Sequence, residues 1–291
     1  MQSHTTRKLM DQDLKNPNAR DLCPQAIRRG LNTRRIGKQP IYCFRVAEST
    51  NTEAKRLARQ GAPEGTIVLA ESQRKGRGRL RRPWASPPGK GLYLSVVLRP
   101  NIPPQWGPRI TLTAGVALAA ALQERGITPQ LKWPNDVMLG RRKVGGILTE
   151  ASCSRNAIAF VIVGVGINVN ADLEDFPTPI RNLATSLRLS TGKAISRVAL
   201  LQTWLHQLEQ WYERLCQRPF ATILETWRQY DMTLGSRVEV SLPKSRLAGV
   251  AEDLDTDGAL LVRDKRGRLH RILAGDVVHC LVEDRQGLHA S

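Results

Sequence analysis

Between Arg74 and Arg82 the chain sets six basic residues and two glycines in nine positions, Arg-Lys-Gly-Arg-Gly-Arg-Leu-Arg-Arg, with Trp84 two places on. Glycine lets backbone amides come close to an anion, and arginine grips phosphate or carboxylate through two parallel hydrogen bonds. A loop of this kind suits a carboxylate–phosphate anhydride, whose two charged groups both need neutralising. A solvated basic loop accounts for the same composition. The pattern is neither a dinucleotide fingerprint, since no third glycine follows at the required spacing, nor a Walker loop.

A second group is Lys132-Trp133-Pro134-Asn135-Asp136, followed after the turn Gly140-Arg141-Arg142 by Lys143-Val144-Gly145-Gly146-Ile147-Leu148. Two strands joined there bring Lys132, Asp136 and Lys143 toward one end of a hairpin. A lysine near an α-phosphate stabilises the charge that develops when a carboxylate attacks ATP. Asp136 can hold a metal, orient an amide or help deprotonate an amine. A surface hairpin with unrelated charges is the competing reading, and Trp133 reads as core. Gly164-Val165-Gly166-Ile167-Asn168 ends an apolar strand where a nucleotide can approach the backbone, although a strand-end turn needs the same residues. Ser49-Thr50-Asn51 opens a helix, where amides and hydroxyls can bind a small polar group, and capping alone accounts for Thr50. There is no Ser/His/Asp set, and the five histidines fall in no metal-ligand spacing.

The elements that must position these residues follow from periodicity. Strands are expected at Ile41–Ala47, Thr66–Ala70, Leu92–Leu98, Gln130–Trp133, Val137–Leu139, Lys143–Ala151 and Ile158–Ile167. A capping box, Thr50-Asn51-Thr52-Glu53, opens a helix reaching about Gln60. An Ala/Leu-rich helix is expected over Ile110–Glu124, and two or three more over 183–229. After Asp231 the pattern turns to short strands and tight turns, as in a small β-barrel. The expected fold class is α+β: a mixed, largely antiparallel sheet flanked by helices, with a small C-terminal SH3-like barrel. The divisions are a basic extension and linker (1–40), a body (41–231), the barrel (232–285) and a tail (286–291).

With 291 residues and 41% apolar content the chain can bury a large core and a second small one. The net charge of +18 is uneven: residues 1–40 hold nine basic against three acidic residues, whereas 232–291 hold nine of each. Such charge suits nucleotides, acidic proteins or nucleic acid. Nucleic-acid binding as the whole function predicts basic residues in every domain, and the barrel is neutral. The five cysteines (Cys23, Cys43, Cys153, Cys216, Cys280) form no CxxC pair, so a reducing cytoplasm is expected. No apolar run approaches the roughly 18 residues of a membrane span.

In order and spacing, Ser49-Thr50-Asn51, Gln73, Gly76-Arg77-Gly78-Arg79, Trp84, Lys132–Asp136, Lys143–Leu148 and Gly164–Asn168 resemble the biotin–protein ligase family over about 41–285. The resemblance implies ATP-dependent activation of biotin to biotinyl-5′-AMP, with Mg²⁺, then transfer to a lysine of the biotin carboxyl carrier protein of acetyl-CoA carboxylase. It implies that Ser49, Thr50, Asn51, Gln73, Arg77, Gly78, Arg79, Lys143, Gly145 and Gly146 hold biotin. Arg79, Trp84, Lys132, Asn135, Lys143 and Asn168 would surround ATP, and Lys143, Arg79 and Asp136 would act in the reaction; no metal ligands are assigned. A form without a DNA-binding domain is expected, monomeric or homodimeric and without specific DNA or membrane binding. Residues 24–40 resemble the linker of bifunctional ligase/repressors, which is one alternative; a lipoate–protein ligase is another. One departure stands out, because Arg81 takes the place of a family glycine, and a Cβ there restricts positive φ.

Overall fold

The structure, a computed structural model, describes residues 22–154, 157–217, 219–242, 245–273 and 275–281. The tail expected at 286–291 and residues 1–21 lie outside them.

Segments rich in Val, Ile and Leu, whose branched side chains suit a pleated sheet, form the central strands. Gly91–Leu98 (β3) is buried at every position, and Ala157–Asn168 (β7) at nearly every one. With Ile41–Ala47 (β1), Ile67–Gln73 (β2), Gln130–Lys132 (β4), Asp136–Leu139 (β5) and Arg142–Ser154 (β6) they make a seven-stranded sheet, ordered β1-β2-β3-β7-β6-β5-β4. Only β1 and β2 run parallel, so the sheet is mixed and largely antiparallel, as expected.

Alternation along the strands gives the sheet two apolar faces. Val68, Val97, Phe160 and Ile162 face Ala54 and Ala58 of helix α2 (Thr50–Arg59). Their neighbours Ile67, Leu69, Val96, Leu98, Val161 and Val163 join the larger core with α3 (Gly107–Gln123), α5 (Arg197–Gln217) and α6 (Ala221–Tyr230). Small residues let α3 approach closely: a Cβ on Gly115 would stand 2.7 Å from Trp227 Cζ3. The short helix α4 (Leu187–Thr191) precedes α5.

Residues 22–40, read from sequence as a basic connecting segment, are packed. Leu22, Ile27, Leu31 and Ile36 are buried, with Ile27 on a short helix, α1 (Pro24–Arg29). Buried Glu209 of α5 accepts the N–H groups of Arg34, Arg35 and Ile36 at 2.5, 2.7 and 2.9 Å, and Gln202 Nε2 donates to the carbonyls of Ala26 and Ile27. The apolar residues are isolated in sequence, and the partners that order them lie more than 170 residues away, so local periodicity had no means of revealing them.

The capping box does not form. Ser49 is the N-cap, with no side-chain cap bond, while Thr50 turns inward, its N–H donating to Gln73 Oε1 at 2.9 Å.

The C-terminal strands Arg237–Ser241 (β8), Arg246–Leu254 (β9), Leu260–Asp264 (β10), Leu269–Ile272 (β11) and Asp276–Leu281 (β12) form an antiparallel sheet, ordered β11-β10-β9-β8-β12. It docks on the body through apolar residues continuous with the main core and through specific polar bonds. Trp133, 2% exposed, donates its N–H to Thr233 Oγ1 and its indole N–H to the Gly258 carbonyl, at 3.0 and 3.1 Å. Arg109 pairs with Asp257 at 2.7 Å while stacked between the rings of Trp106 and Phe220. Trp133 is thus a core residue joining the two sheets.

Candidate active site

The site is built where the ends of β5, β6 and β7 meet the Arg/Gly loop. The β4–β5 turn sets Lys132 opposite Asp136, and the β5–β6 register sets Asp136 opposite Gly146. Lys143 Nζ lies 2.5 Å from Asp136 Oδ1 and 5.5 Å from the centre of the Trp84 ring. Its backbone is clamped as well: Lys143 N–H donates to Leu183 O at 2.8 Å, and Thr185 N–H donates to Lys143 O at 2.9 Å. Buried Asn168 donates to Thr185 O at 3.0 Å, so this asparagine braces the segment that holds Lys143.

The glycines permit close approach rather than unusual dihedrals. A Cβ on Gly166 would come within 2.5 Å of the Trp84 ring, and one on Gly146 within 3.2 Å of Lys143 Cε. One on Gly164 would lie 1.9 Å from Asn51 Oδ1, so Asn51 can enter only where that strand lacks a side chain. Gly145, facing the Gly166 carbonyl and Leu118, belongs to the sheet interior.

At the helix end of the site, Ser49, Thr50 and Asn51 are all buried. Ser95 Oγ lies 2.9 Å from Thr50 Oγ1 and 2.7 Å from Asn51 Oδ1. Gln73 accepts from Thr50 and donates to Ser86 Oγ at 3.0 Å. Asn51 Nδ2 donates to Leu148 O at 3.2 Å and to Glu150 Oε2 at 2.8 Å. Glu150 also takes Arg77. Burial raises the pKa of this carboxyl, but the bonds from Asn51 and Arg77 outweigh it, leaving a net lowering that keeps Glu150 ionised.

The loop closes over these residues. Arg77 and Pro83 form an antiparallel bridge, Gly78 N–H donates to Arg82 O at 2.8 Å, and Trp84 N–H donates to Gly76 O at 2.9 Å. At its tip Leu80 and Arg81 take φ of 53° and 58°. The position where Arg81 replaces the family glycine therefore does adopt the left-handed conformation, at a cost of order 1 kcal/mol or more for such a residue. Arg79, half-buried, reaches Asn135 Oδ1 at 3.5 Å, and Asn135 itself is bonded to Ile147 O at 2.7 Å. Burial lowers the pKa of Arg79, opposed by the nearby carboxylates of Asp276 and Asp136.

The structure therefore gathers the expected residues into two adjoining groups. Ser49, Thr50, Asn51, Gln73 and Arg77 form one, and Arg79, Trp84, Asn135, Asp136, Lys143 and Gly146 the other. Gly78 lies in the loop backbone, and Asn168 behind Lys143. Lys132 is placed by register alone. Sequence reasoning missed Ser86, Ser95, Glu150 and Asp276. Glu150 alternates with Gly146 and Leu148 on one face of β6, a signal that was available; Asp276 carried none.

The buried indole N–H of Trp84 has no acceptor among the described protein atoms and suits a ligand oxygen. Among the described residues no three His, Cys, Asp or Glu side chains group as metal ligands, and the nearest single carboxylate, Asp136, is engaged by Lys143.

Residues 43–168 match the biotin/lipoate A/B protein ligase family, and residues 233–280 match the biotin protein ligase C-terminal domain. The bifunctional ligase/repressor BirA of Bacillus subtilis is 37% identical over 257 residues, 88% of this chain and 78% of that protein. The biotin–[acetyl-CoA-carboxylase] ligase of Mycobacterium tuberculosis is 36% identical over 248 residues, 80% of this chain and 87% of that one. The biotin protein ligase of Aquifex aeolicus, solved with biotin and ATP, superposes with a TM-score of 0.69 at 32% identity, covering 81% of this chain and 96% of that one. Fold and site thus define the class, enzymes of the biotin and lipoate ligase fold. The chain belongs to the biotin/lipoate A/B protein ligase family, on its biotin–protein ligase branch.

Proposed function

We propose that the protein joins biotin to ATP, forming biotinyl-5′-AMP and pyrophosphate, and then passes the biotinyl group to a lysine of the biotin carboxyl carrier protein of acetyl-CoA carboxylase. The observation that carries this reading is the placing of Lys143 against Asp136, beside the Trp84 ring and near Arg79 and Asn135, over strands whose glycines leave the backbone bare. In the first step a biotin carboxylate oxygen attacks the α-phosphorus and pyrophosphate leaves. Lys143 and Arg79 neutralise the charge that gathers there, an effect worth about 10²–10³-fold in rate for a well-placed donor. Asp136 fixes the Lys143 ammonium. In the second step the acceptor amine attacks the acyl carbon, AMP departs, and a carboxylate such as Asp136 can take the amine's proton.

Ser49, Thr50, Asn51, Gln73, Arg77 and Gly78 form the biotin end; Trp84, Lys132, Asn135 and Asn168 form the nucleotide end; Gly146 lies against Lys143 and Trp84, and Gly145, expected at the biotin end, faces the sheet interior instead. Magnesium would enter with the ATP phosphates, where it keeps waters and needs few protein carboxylates. We take 232 as the boundary of the C-terminal domain, supported by the match at 233–280. A cytoplasmic setting fits the need for ATP; no helix among the described residues is long and apolar enough to cross a membrane. Specific DNA binding is not part of this reading, and a band shift on biotin-operon DNA that survives physiological salt would overturn that exclusion.

The test is intact mass of a carrier domain after incubation with the protein, biotin and Mg-ATP. A one-biotinyl increase is expected, and none with lipoate. No increase with folded protein would reject the reading.

A further inference from the structure

The Arg/Gly loop is gripped from both sides by carboxylates that lie outside the expected site. Glu150 of β6 receives Arg77 Nη2 at 3.2 and 3.1 Å, with Lys55 Nζ at 3.8 Å. Asp276, the first residue of β12 and only 8% exposed, pairs with Arg82. Glu150 belongs to the body and Asp276 to the C-terminal sheet.

Between these anchors one side-chain bond, Arg79 to Asn135 Oδ1 at 3.5 Å, reaches the body, and ahead of them Lys75 pairs with Glu48 at 2.8 Å. Leu80, its one aliphatic side chain, is 63% exposed, so apolar burial contributes little there. Leu80 and Arg81 are left-handed, which favours opening. Arg79, Arg81 and Arg82 crowd like charges into four positions. The hydrogen bonds from Gly78 to Arg82 O and from Arg82 to Arg79 O shape the turn but do not attach it to the body.

We infer that Glu150 and Asp276 are positioning residues that clasp this loop over the site, spending Arg77 and Arg82 as tethers and leaving Arg79 as the cation presented to the ligand. The inference rests on the biotin-ligase reading for what the loop covers. It alters the role of Arg77, whose charge is met by Glu150 rather than by biotin. It also gives the C-terminal sheet a part in retaining the adenylate without touching it: when that sheet is docked, Asp276 is in place and the loop is held.

Limited trypsin digestion of the full chain tests the clasp, with mass spectrometry reporting cleavage after Arg74, Lys75, Arg77, Arg79 and Arg81. Glu150→Gln and Asp276→Asn should each speed loop cleavage roughly two- to tenfold, because proteolysis follows the open population. The double variant should exceed either. Arg246→Ala, which breaks the exposed Arg246–Glu239 pair within the C-terminal sheet (2.8 Å), should leave loop cleavage unchanged. Both carboxylate variants should also release preformed biotinyl-5′-AMP faster, with melting temperatures near that of the parent. Loop cleavage at the parental rate in Glu150→Gln and Asp276→Asn would overturn the clasp, as would an equal effect of Arg246→Ala. Should either variant fail to fold, the parent protein carries the test in rising salt. Loop cleavage must then accelerate relative to cleavage in the Lys265–Arg268 turn, and a constant ratio overturns the inference. Cleavage without ligand tests the clasp alone, whereas failure of biotin with Mg-ATP to protect the loop counts against the ligase reading.

Discussion

Gly146, Gly164 and Gly166 sit in strands bonded to neighbours on both sides, whereas the loop beside them is tied to the body by side chains, chiefly the Arg77–Glu150 and Arg82–Asp276 ion pairs, and turns through two left-handed residues. The floor buries apolar side chains on its far face and packs so closely that a single added methyl group would collide. The roof is exposed and crowded with like charge. A site that must admit biotin and ATP and then retain a reactive anhydride needs both properties. The floor supplies geometry that does not wait for the ligand, and the roof supplies access.

Substitutions at four positions should break or sharpen this contrast. Lys143→Ala removes charge from a fixed position on the floor. Pyrophosphate release should fall about 10²–10³-fold with little loss of stability, and near-parental release would remove Lys143 from its role. Gly164→Ala drives a methyl group into Asn51 Oδ1. It should cost about 1–3 kcal/mol in denaturant unfolding and weaken biotin binding measured by calorimetry; an unchanged protein would mean the floor is softer than described. Arg79→Gly acts on the roof, so unfolding should hardly change while adenylate escapes about tenfold faster in a filter-binding chase, the loss of one charge-assisted contact. The smallest effect belongs to Arg81. Glycine there should slow adenylate release and valine should hasten it, each by a few-fold, since φ of 58° suits one and strains the other. Equal retention in all three forms would show that the left-handed turn does not govern the loop.

What was legible followed from local spacing. Lys132, Asp136 and Lys143 lie within twelve residues, and the turn between their strands leaves few other arrangements. Gly146 of β6 faces Gly166 of β7 because an antiparallel register aligned them. The same logic misled at Thr50: the capping box is a local pattern, but the hydroxyl bonds to Gln73 and Ser95 of the sheet instead. Residues 22–40 lacked a readable pattern because Glu209 and Gln202 order their backbone from far along the chain.

The sequence by itself determined the chemistry: a basic glycine-bearing loop, a lysine–aspartate hairpin and glycine-spaced strands, in an order that belongs to one family. It also marked Arg81 as irregular, because backbone preference is a property of the residue. Only the tertiary structure decided which of the loop's arginines serve as tethers and which one faces the ligand. That depends on where Glu150 and Asp276 come to rest, 73 residues beyond Arg77 and nearly 200 beyond Arg82. Charge pairing acts over a few ångströms of space, and no spacing within the loop records which carboxylates the fold will bring there.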